Sequence, residues 1–225
     1  MCGRFGRTTA AQVFAQMIEA ELSERLDDAP GFNLPPGTFQ QIALKHPDTS
    51  KTTLGPAWWG FTPSFKKNRK PQPINARADK LESGFYKRSF THQRCLVCAD
   101  FWIEWQKAGS RKQPFAIRPE PITPFFFAGI WAKASKLPDA DPARGQVTFA
   151  IITGEPHPDI AHIHNRQPLS LTLEAAQAWL SEETEPAALH DILSAGCYDN
   201  YRSWPIDKAV GNPKNGDPAL FEPAE

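Results

Sequence analysis

Cysteine is scarce in this chain, with four in 225 residues. Small secreted domains stapled by disulfides carry far more per residue, so no cross-linked scaffold is expected and the thiols should stay reduced. No apolar run approaches the roughly 20 residues that span a bilayer, which argues against a membrane protein. The N-terminus lacks a charged stretch followed by an apolar one, so no signal peptide is expected. A cytoplasmic, nucleoid-associated location fits these absences. Net charge is missing too: 25 Lys and Arg balance 25 Asp and Glu. Repeats, low-complexity tracts and a convincing linker are absent, which favours one domain over residues 1–225.

What is present is uneven. The 22 prolines imply many turns and few long helices. The 15 Phe and 7 Trp are a large aromatic content, most of it expected in a core. Residues 66–112 carry 12 Lys/Arg against 4 Asp/Glu, whereas residues 113–225 carry 8 against 15. Either the fold mixes these segments in space, or it presents one basic face to a polyanion.

Apolar spacing predicts a helix over residues 10–26, capped by Thr9. Residues 28–38 read as a Pro/Gly-rich loop. Strands are expected at 40–45, 52–61, 125–132 and 146–153. The aromatic segment 93–106 is β-prone, with KAGSRKQ a turn and PFAIR a returning strand. Thr172 caps a second helix over 172–181, and a short helix covers 186–194. YRSWPID is a last strand. The pattern suits an α+β fold: a mainly antiparallel sheet or open barrel with flanking helices.

Several residues could carry chemistry. The chain opens MCGRF. Removal of Met1 would make Cys2 a 1,2-aminothiol, with an α-amine of pKa about 7.7–8.0 that is partly neutral at pH 7. An aldehyde meeting it would form an imine, and the thiol would close a five-membered thiazolidine. Otherwise Cys2 is incidental. Asn75 and Arg77 in INAR share a face if the backbone is extended. Glu104 in FWIEW either points to solvent or is desolvated, which would raise its pKa and suit it to proton transfer. Phe101, Ile103 and Trp105 share one strand face, and Trp102 shares the other with Glu104. HPDIAHIHNRQP holds His157, His162 and His164, but no familiar zinc spacing. One histidine acting as general acid or base is the better reading. Cys95 and Cys98 would point to opposite faces of a strand, so they would not share an ion. Neither metal nor cofactor is expected. Trp58, Trp59, Phe61, Phe65 and Phe85 flank the basic stretch, as do stacking aromatics in single-strand binders.

These pieces stand in one order: MCGRF, FNLPPGT, WWGFTPSF, INARAD, RCLVCADFWIEWQK, RKQPFAI, IHNRQP and AVGNPKN. The series resembles the SRAP family, the SOS-response-associated peptidase fold whose members crosslink to abasic sites, over nearly the whole chain. The resemblance implies that Cys2 bonds an abasic site in single-stranded DNA through a thiazolidine. It implies that Asn75 contacts the opened sugar and the Cys2 region, and that Glu104 assists proton transfers. His164 would move a proton at the sugar oxygen, and the same residues would remove Met1. The implied DNA contacts are Arg4, Asn33, Trp58, Trp59, Lys66, Lys67, Arg77 and Arg166, with Asn33 shaping the pocket. The implied partner is single-stranded DNA bearing abasic sites, bound by a monomer. The chain also departs from the family pattern. Phe101 stands where glycine is usual, which could alter the strand or narrow the cleft. Asp79 replaces glutamate after the NAR motif, and Gln167 a methionine or arginine. Two rival readings remain: a cysteine-dependent peptidase acting on other proteins, and a non-enzymatic single-strand binding module.

Overall fold

The computed structural model describes residues 2–46, 49–109, 111–121 and 124–224. Met1, on whose removal the N-terminal chemistry turns, lies outside them, as does Ser110 of the KAGSRKQ segment. The elements run β1 (Phe5–Arg7), α1 (Ala11–Met17), β2 (Glu21–Leu22), β3 (Gly31–Leu34), β4 (Phe39–Lys45), β5 (Thr52–Trp59) and β6 (Asn75–Arg77). Then come α2 (Lys87–His92), β7 (Arg94–Ala99), β8 (Phe101–Ala108), β9 (Arg111–Pro119), β10 (Phe125–Lys133) and β11 (Val147–Gly154). The order closes with β12 (Gln167–Pro168), β13 (Ser170–Leu171), α3 (Leu173–Leu180), α4 (Leu189–Ala195) and β14 (Tyr201–Pro205).

Two sheets form from these strands. The smaller is antiparallel, in the order β14-β9-β8-β1-β3. The larger runs β12-β11-β10-β7-β4-β5-β2. A short parallel pairing of Trp58 and Trp59 with Thr148 and Phe149 joins β5 back to β11. The path β5-β4-β7-β10-β11 thereby becomes a ring, and closing a sheet on itself removes unpaired edges. The α+β class with a mainly antiparallel barrel core is what the sequence led us to expect.

β7 and most of β10 are buried on both faces, so they read as continuous apolar runs. Alternation still sorts their side chains. Leu96, Cys98, Phe126 and Ala128 face a cluster completed by α1, α3 and α4. Cys95, Val97, Phe125 and Phe127 join Cys2, Phe5 and Trp102 in a second cluster. Cys95 and Cys98 therefore point apart, as strand geometry requires. Trp179 of α3 anchors the helical layer, its Nε1 donating to the carbonyls of Cys95 (3.1 Å) and Gly129 (3.2 Å). Thr172 caps α3 by accepting from the Ala175 N–H, as the sequence predicts.

Three local expectations are revised. The helix expected over 10–26 ends at Met17, and Glu19 turns the chain at a φ of 53° into β2. Thr9 does not cap it. Its hydroxyl donates to Asp100 (2.7 Å), and the Ala11 N–H is met by Asp28 (2.8 Å) from a later loop. The loop expected over 28–38 contains β3, paired with β1. The pairing is non-local, so the loop's prolines and glycines hide it. Finally, the β-prone segment 93–106 is two strands in different sheets, divided at Asp100.

Asp100 makes that corner possible. Its carboxylate accepts from the backbone N–H and hydroxyl groups of both Thr8 and Thr9. It clasps the end of β1 to the β7–β8 crossing. Hydrogen bonds to a charged group contribute about 1.5–3 kcal/mol. Asp100→Ala is expected to lower unfolding free energy by about 2–3 kcal/mol, and Thr9→Val by about 1 kcal/mol, in urea denaturation.

Candidate active site around the N-terminal cysteine

β1 sits between β3 and β8, with Phe5 opposite Leu34 on one side and Trp102 on the other. The ladder continues one step earlier, where the Ile103 N–H donates to the Arg4 carbonyl at 3.0 Å. This pairing draws the N-terminal segment inward, and Cys2 is fully buried beside Trp102, Trp59 and Ile151. A frayed terminus is excluded.

Asn75 meets it from the opposite side. β6 lies parallel to β11, with Asn75 opposite Ile151. The preceding residue is fixed by Trp59, whose Nε1 donates to the Ile74 carbonyl at 2.9 Å. So held, Asn75 donates through Nδ2 to the Cys2 carbonyl at 2.8 Å. Its Oδ1 is buried with no hydrogen-bond partner among the described residues. The extended backbone puts Arg77 on the same face, as the i, i+2 spacing predicts.

Glu104 reaches the same place because it shares the Trp102 face of β8. It is 3% exposed, so the solvent-facing alternative fails. Burial raises its pKa above the ordinary carboxylate value, while a positive charge on nearby His164 and the Trp105 backbone N–H pull it back. The Cys2 thiol is likewise pushed well up, first by burial and then by the Glu104 carboxylate. A contact from Sγ to the Arg4 carbonyl at 3.7 Å offers little relief. The resting site thus favours a protonated thiol, unlike the thiolate of an activated cysteine nucleophile.

His164 follows a turn anchored by buried Ile160 and Ile163. Its Nδ1 lies 3.0 Å from the Arg166 N–H and 3.1 Å from the Arg166 carbonyl, so the Arg166 backbone orients the ring. Cys2, Asn75, Glu104 and His164 are therefore one cluster, drawn from four distant segments. Gln106, by contrast, takes the carbonyl of His162, and the His157 ring lies against Tyr201.

The expected DNA contacts divide. Arg77 and Arg166 lie beside the cluster. Arg77 is exposed and forked onto Asp79, at 2.8 and 2.6 Å. Arg166 is held by Thr153, donating to its carbonyl at 2.9 Å and also reaching its hydroxyl. Burial, then the Arg77 charge, lowers the Arg166 pKa, which marks two cations side by side. Lys67 is exposed, and Lys66 donates to the Lys70 carbonyl. Arg4 donates to Asn33 Oδ1 at 3.0 Å. Asn33 itself is buried, with Nδ2 within 3.0 Å of the carbonyls of Val210, Asn212 and Asn215. It acts as a brace for the AVGNPKN segment rather than a surface contact. Trp58 and Trp59 are corrected more firmly. Trp59 is wholly buried, and Trp58 is packed under the Arg69 guanidinium and against Phe39. Phe65, by contrast, is 58% exposed beside Lys66 and Lys67.

The family model for SRAP, SOS response associated peptidase, matches residues 1–213. The chain belongs to the SRAP family. It is 33% identical to the abasic site processing protein YedK of Escherichia coli (strain K12), over 99% of this chain and 100% of that protein. It is 32% identical to YoqW of Bacillus subtilis (strain 168), named an abasic site processing protein, over 99% of each. Among solved structures, a Bacteroides thetaiotaomicron protein superposes with a TM-score of 0.81 at 21% identity over 100% of both chains. A phage-related protein of Bordetella bronchiseptica gives 0.72 at 27%, over 91% of this chain and 94% of that one.

In this SRAP chain, the support of the site escaped sequence reasoning more than the site itself. Thr153, which seats Arg166, and the Ile160 and Ile163 anchors carry no local signal, because their partners are set by folding. Asp79 has a visible role: it occupies the Arg77 fork. Phe101 does not narrow the Cys2 cleft, because it lies on the other face of β8.

The raised Glu104 pKa has a thermodynamic consequence. Relative to the unfolded chain, the fold retains its proton, so that contribution is full below the ordinary value of 4.5 and is lost as pH rises through the folded value. Glu104→Gln is expected to be more stable than wild type at pH 7–8, with the difference closing by pH 4, in denaturant unfolding measured across that range.

Proposed function

We propose that this chain captures the ring-opened aldehyde of an abasic site in single-stranded DNA as a thiazolidine on Cys2. The observation that carries this reading is the hydrogen bond from Asn75 to the Cys2 carbonyl, which fixes the N-terminal residue beside Glu104 and His164. The names of the relatives, abasic site processing proteins, supply the substrate class.

The chemistry balances as follows. Hydrolysis of the Met1–Cys2 peptide bond consumes one water and frees the amine. His164, as imidazolium, supplies a proton to the ring oxygen of the closed sugar while the anomeric hydroxyl gives one to the Glu104 carboxylate, leaving the aldehyde. The Cys2 amine adds to the carbonyl, and loss of water leaves an imine. The thiol adds across C=N, its sulfur to carbon and its proton to nitrogen. A buried thiol that keeps its proton suits this last step. Glu104, with its affinity for a proton raised by burial, can relay protons in each stage. Arg77 and Arg166 would hold phosphates on either side of the lesion, with the Arg77 fork exchanging Asp79 for a phosphate, and exposed Phe65 would stack a base. The link would shield the lesion from strand cleavage.

A peptidase acting on other proteins is disfavoured by the same burial. Its nucleophile would need a thiolate, which burial and the Glu104 carboxylate both oppose.

Incubation with an oligonucleotide bearing one abasic site should give a denaturation-resistant adduct one DNA strand heavier than the protein. Cys2→Ala should give none, and equal yield from that variant would defeat the proposal. Asn75→Ala and His164→Gln should slow adduct formation by about 10- to 100-fold. Intact-mass measurement should show the mature chain lacking Met1. A module that merely binds single strands would retain intact and abasic oligonucleotides equally, with strong salt dependence.

A further inference from the structure

The second face of the small sheet carries charges that the proposed chemistry does not use. On β9 and β14, Arg118 and Arg202 are direct cross-strand partners. Like charges placed opposite each other destabilise a sheet. No ion pair relieves them among the described residues, and Glu222, on the rim of the same pocket, bonds to neither. Both guanidiniums lie over Trp204, at 5.1 and 6.0 Å from its ring centre. Cation–π contact of this kind satisfies no N–H donor, so the guanidinium N–H groups stay available to an acceptor. Arg118 Nε is buried without a hydrogen-bond partner. Burial and then the Arg202 charge lower its pKa, the Glu120 carboxylate opposes them without forming an ion pair among the described residues, and the arginine stays cationic.

These groups line a cavity of about 440 Å3, within the range of small-ligand pockets. Its apolar wall is built from Phe101 and Phe221, whose ring centres are 5.5 Å apart. Phe101 is the residue that departs from the family's usual glycine. It fits because Gly6 beneath it has no side chain: a Cβ there would meet the Phe101 ring at 2.1 Å. The wall is fixed from the other side by Trp204 Nε1, which donates to the Phe221 carbonyl at 2.8 Å. The remaining carboxylate, Asp100, is already satisfied by Thr8 and Thr9. Since Phe101 and Glu104 lie on opposite faces of β8, this pocket is separate from the Cys2 cluster.

We infer that this pocket binds a phosphate monoester carrying a flat or apolar group, with the phosphate forked between Arg118 and Arg202 and the group against Phe101 and Phe221. A doubly charged tetrahedral anion matches two converging guanidiniums and relieves their repulsion. A free mononucleotide and the 5′-phosphorylated end of a strand both offer that chemistry.

Isothermal titration calorimetry at constant ionic strength tests it, using a deoxynucleoside 5′-monophosphate, the unphosphorylated nucleoside, inorganic phosphate, and an intact oligonucleotide with or without a 5′-phosphate. The monophosphate should bind more tightly than either nucleoside or phosphate alone. Arg118→Gln and Arg202→Gln should each weaken it about tenfold or more, and Cys2→Ala should leave it unchanged. Arg202 is exposed, so its replacement leaves the core intact. Tighter binding of the 5′-phosphorylated oligonucleotide than of the monophosphate would make a strand end the source, and the reverse order a free nucleotide. Equal binding of nucleoside and monophosphate, or affinity untouched by both arginine variants, would overturn the inference.

Discussion

The amide of Asn75 and the carbonyl of Cys2 hold together two parts of the chain that lie far apart in sequence. One is the first residue after Met1, drawn inward because β1 is paired on both edges. The other is the start of a three-residue strand registered against β11. A chain terminus ordinarily frays, since ordering it costs conformational entropy with few contacts in return. Here the Phe5 and Cys2 side chains join an aromatic core, and that burial offsets the cost. The proposed chemistry needs Cys2 to be as well positioned as an internal residue, and this packing provides that definition.

The same burial sets the proton balance. Low polarity around Cys2 and Glu104 disfavours charge on both, so the thiol and the carboxyl each hold a proton more strongly than in water. His164 opposes this for Glu104, whose affinity for a proton therefore depends on the charge of its neighbour. Such a coupled pair suits a sequence of steps that need a proton given, taken and given again. It suits a thiolate-driven peptidase poorly.

β8 divides the molecule's chemistry by its pleat. Trp102 and Glu104 turn to the Cys2 cluster, while Phe101 and Ile103 turn to the cluster that includes Phe221. One strand thus serves the proposed abasic-site chemistry on one face and walls the arginine-lined pocket on the other. The corner at Asp100 sets which residue falls on which face, because a one-residue slip there would exchange them.

The sequence alone determined the α+β class, the strands of the ring, the Thr172-capped helix, the alternation along FWIEW and the family. These follow from local periodicity or from an ordered set of motifs. It also named Cys2, Asn75, Glu104 and His164, through their resemblance to the family pattern. Only the tertiary structure decided that Trp58 and Trp59 are core, that Asn33 is a brace, that residues 28–38 hide a strand, and that helix α1 stops at Met17. Each of these depends on partners far away in the chain: Arg69 over Trp58, the carbonyls of residues 210–215 around Asn33, β1 beside β3, and β5 beside the β2 strand that follows α1. The cross-strand pairing of Arg118 with Arg202 belongs to the same class, because nothing in either segment reveals register, and register alone places one positive charge against the other.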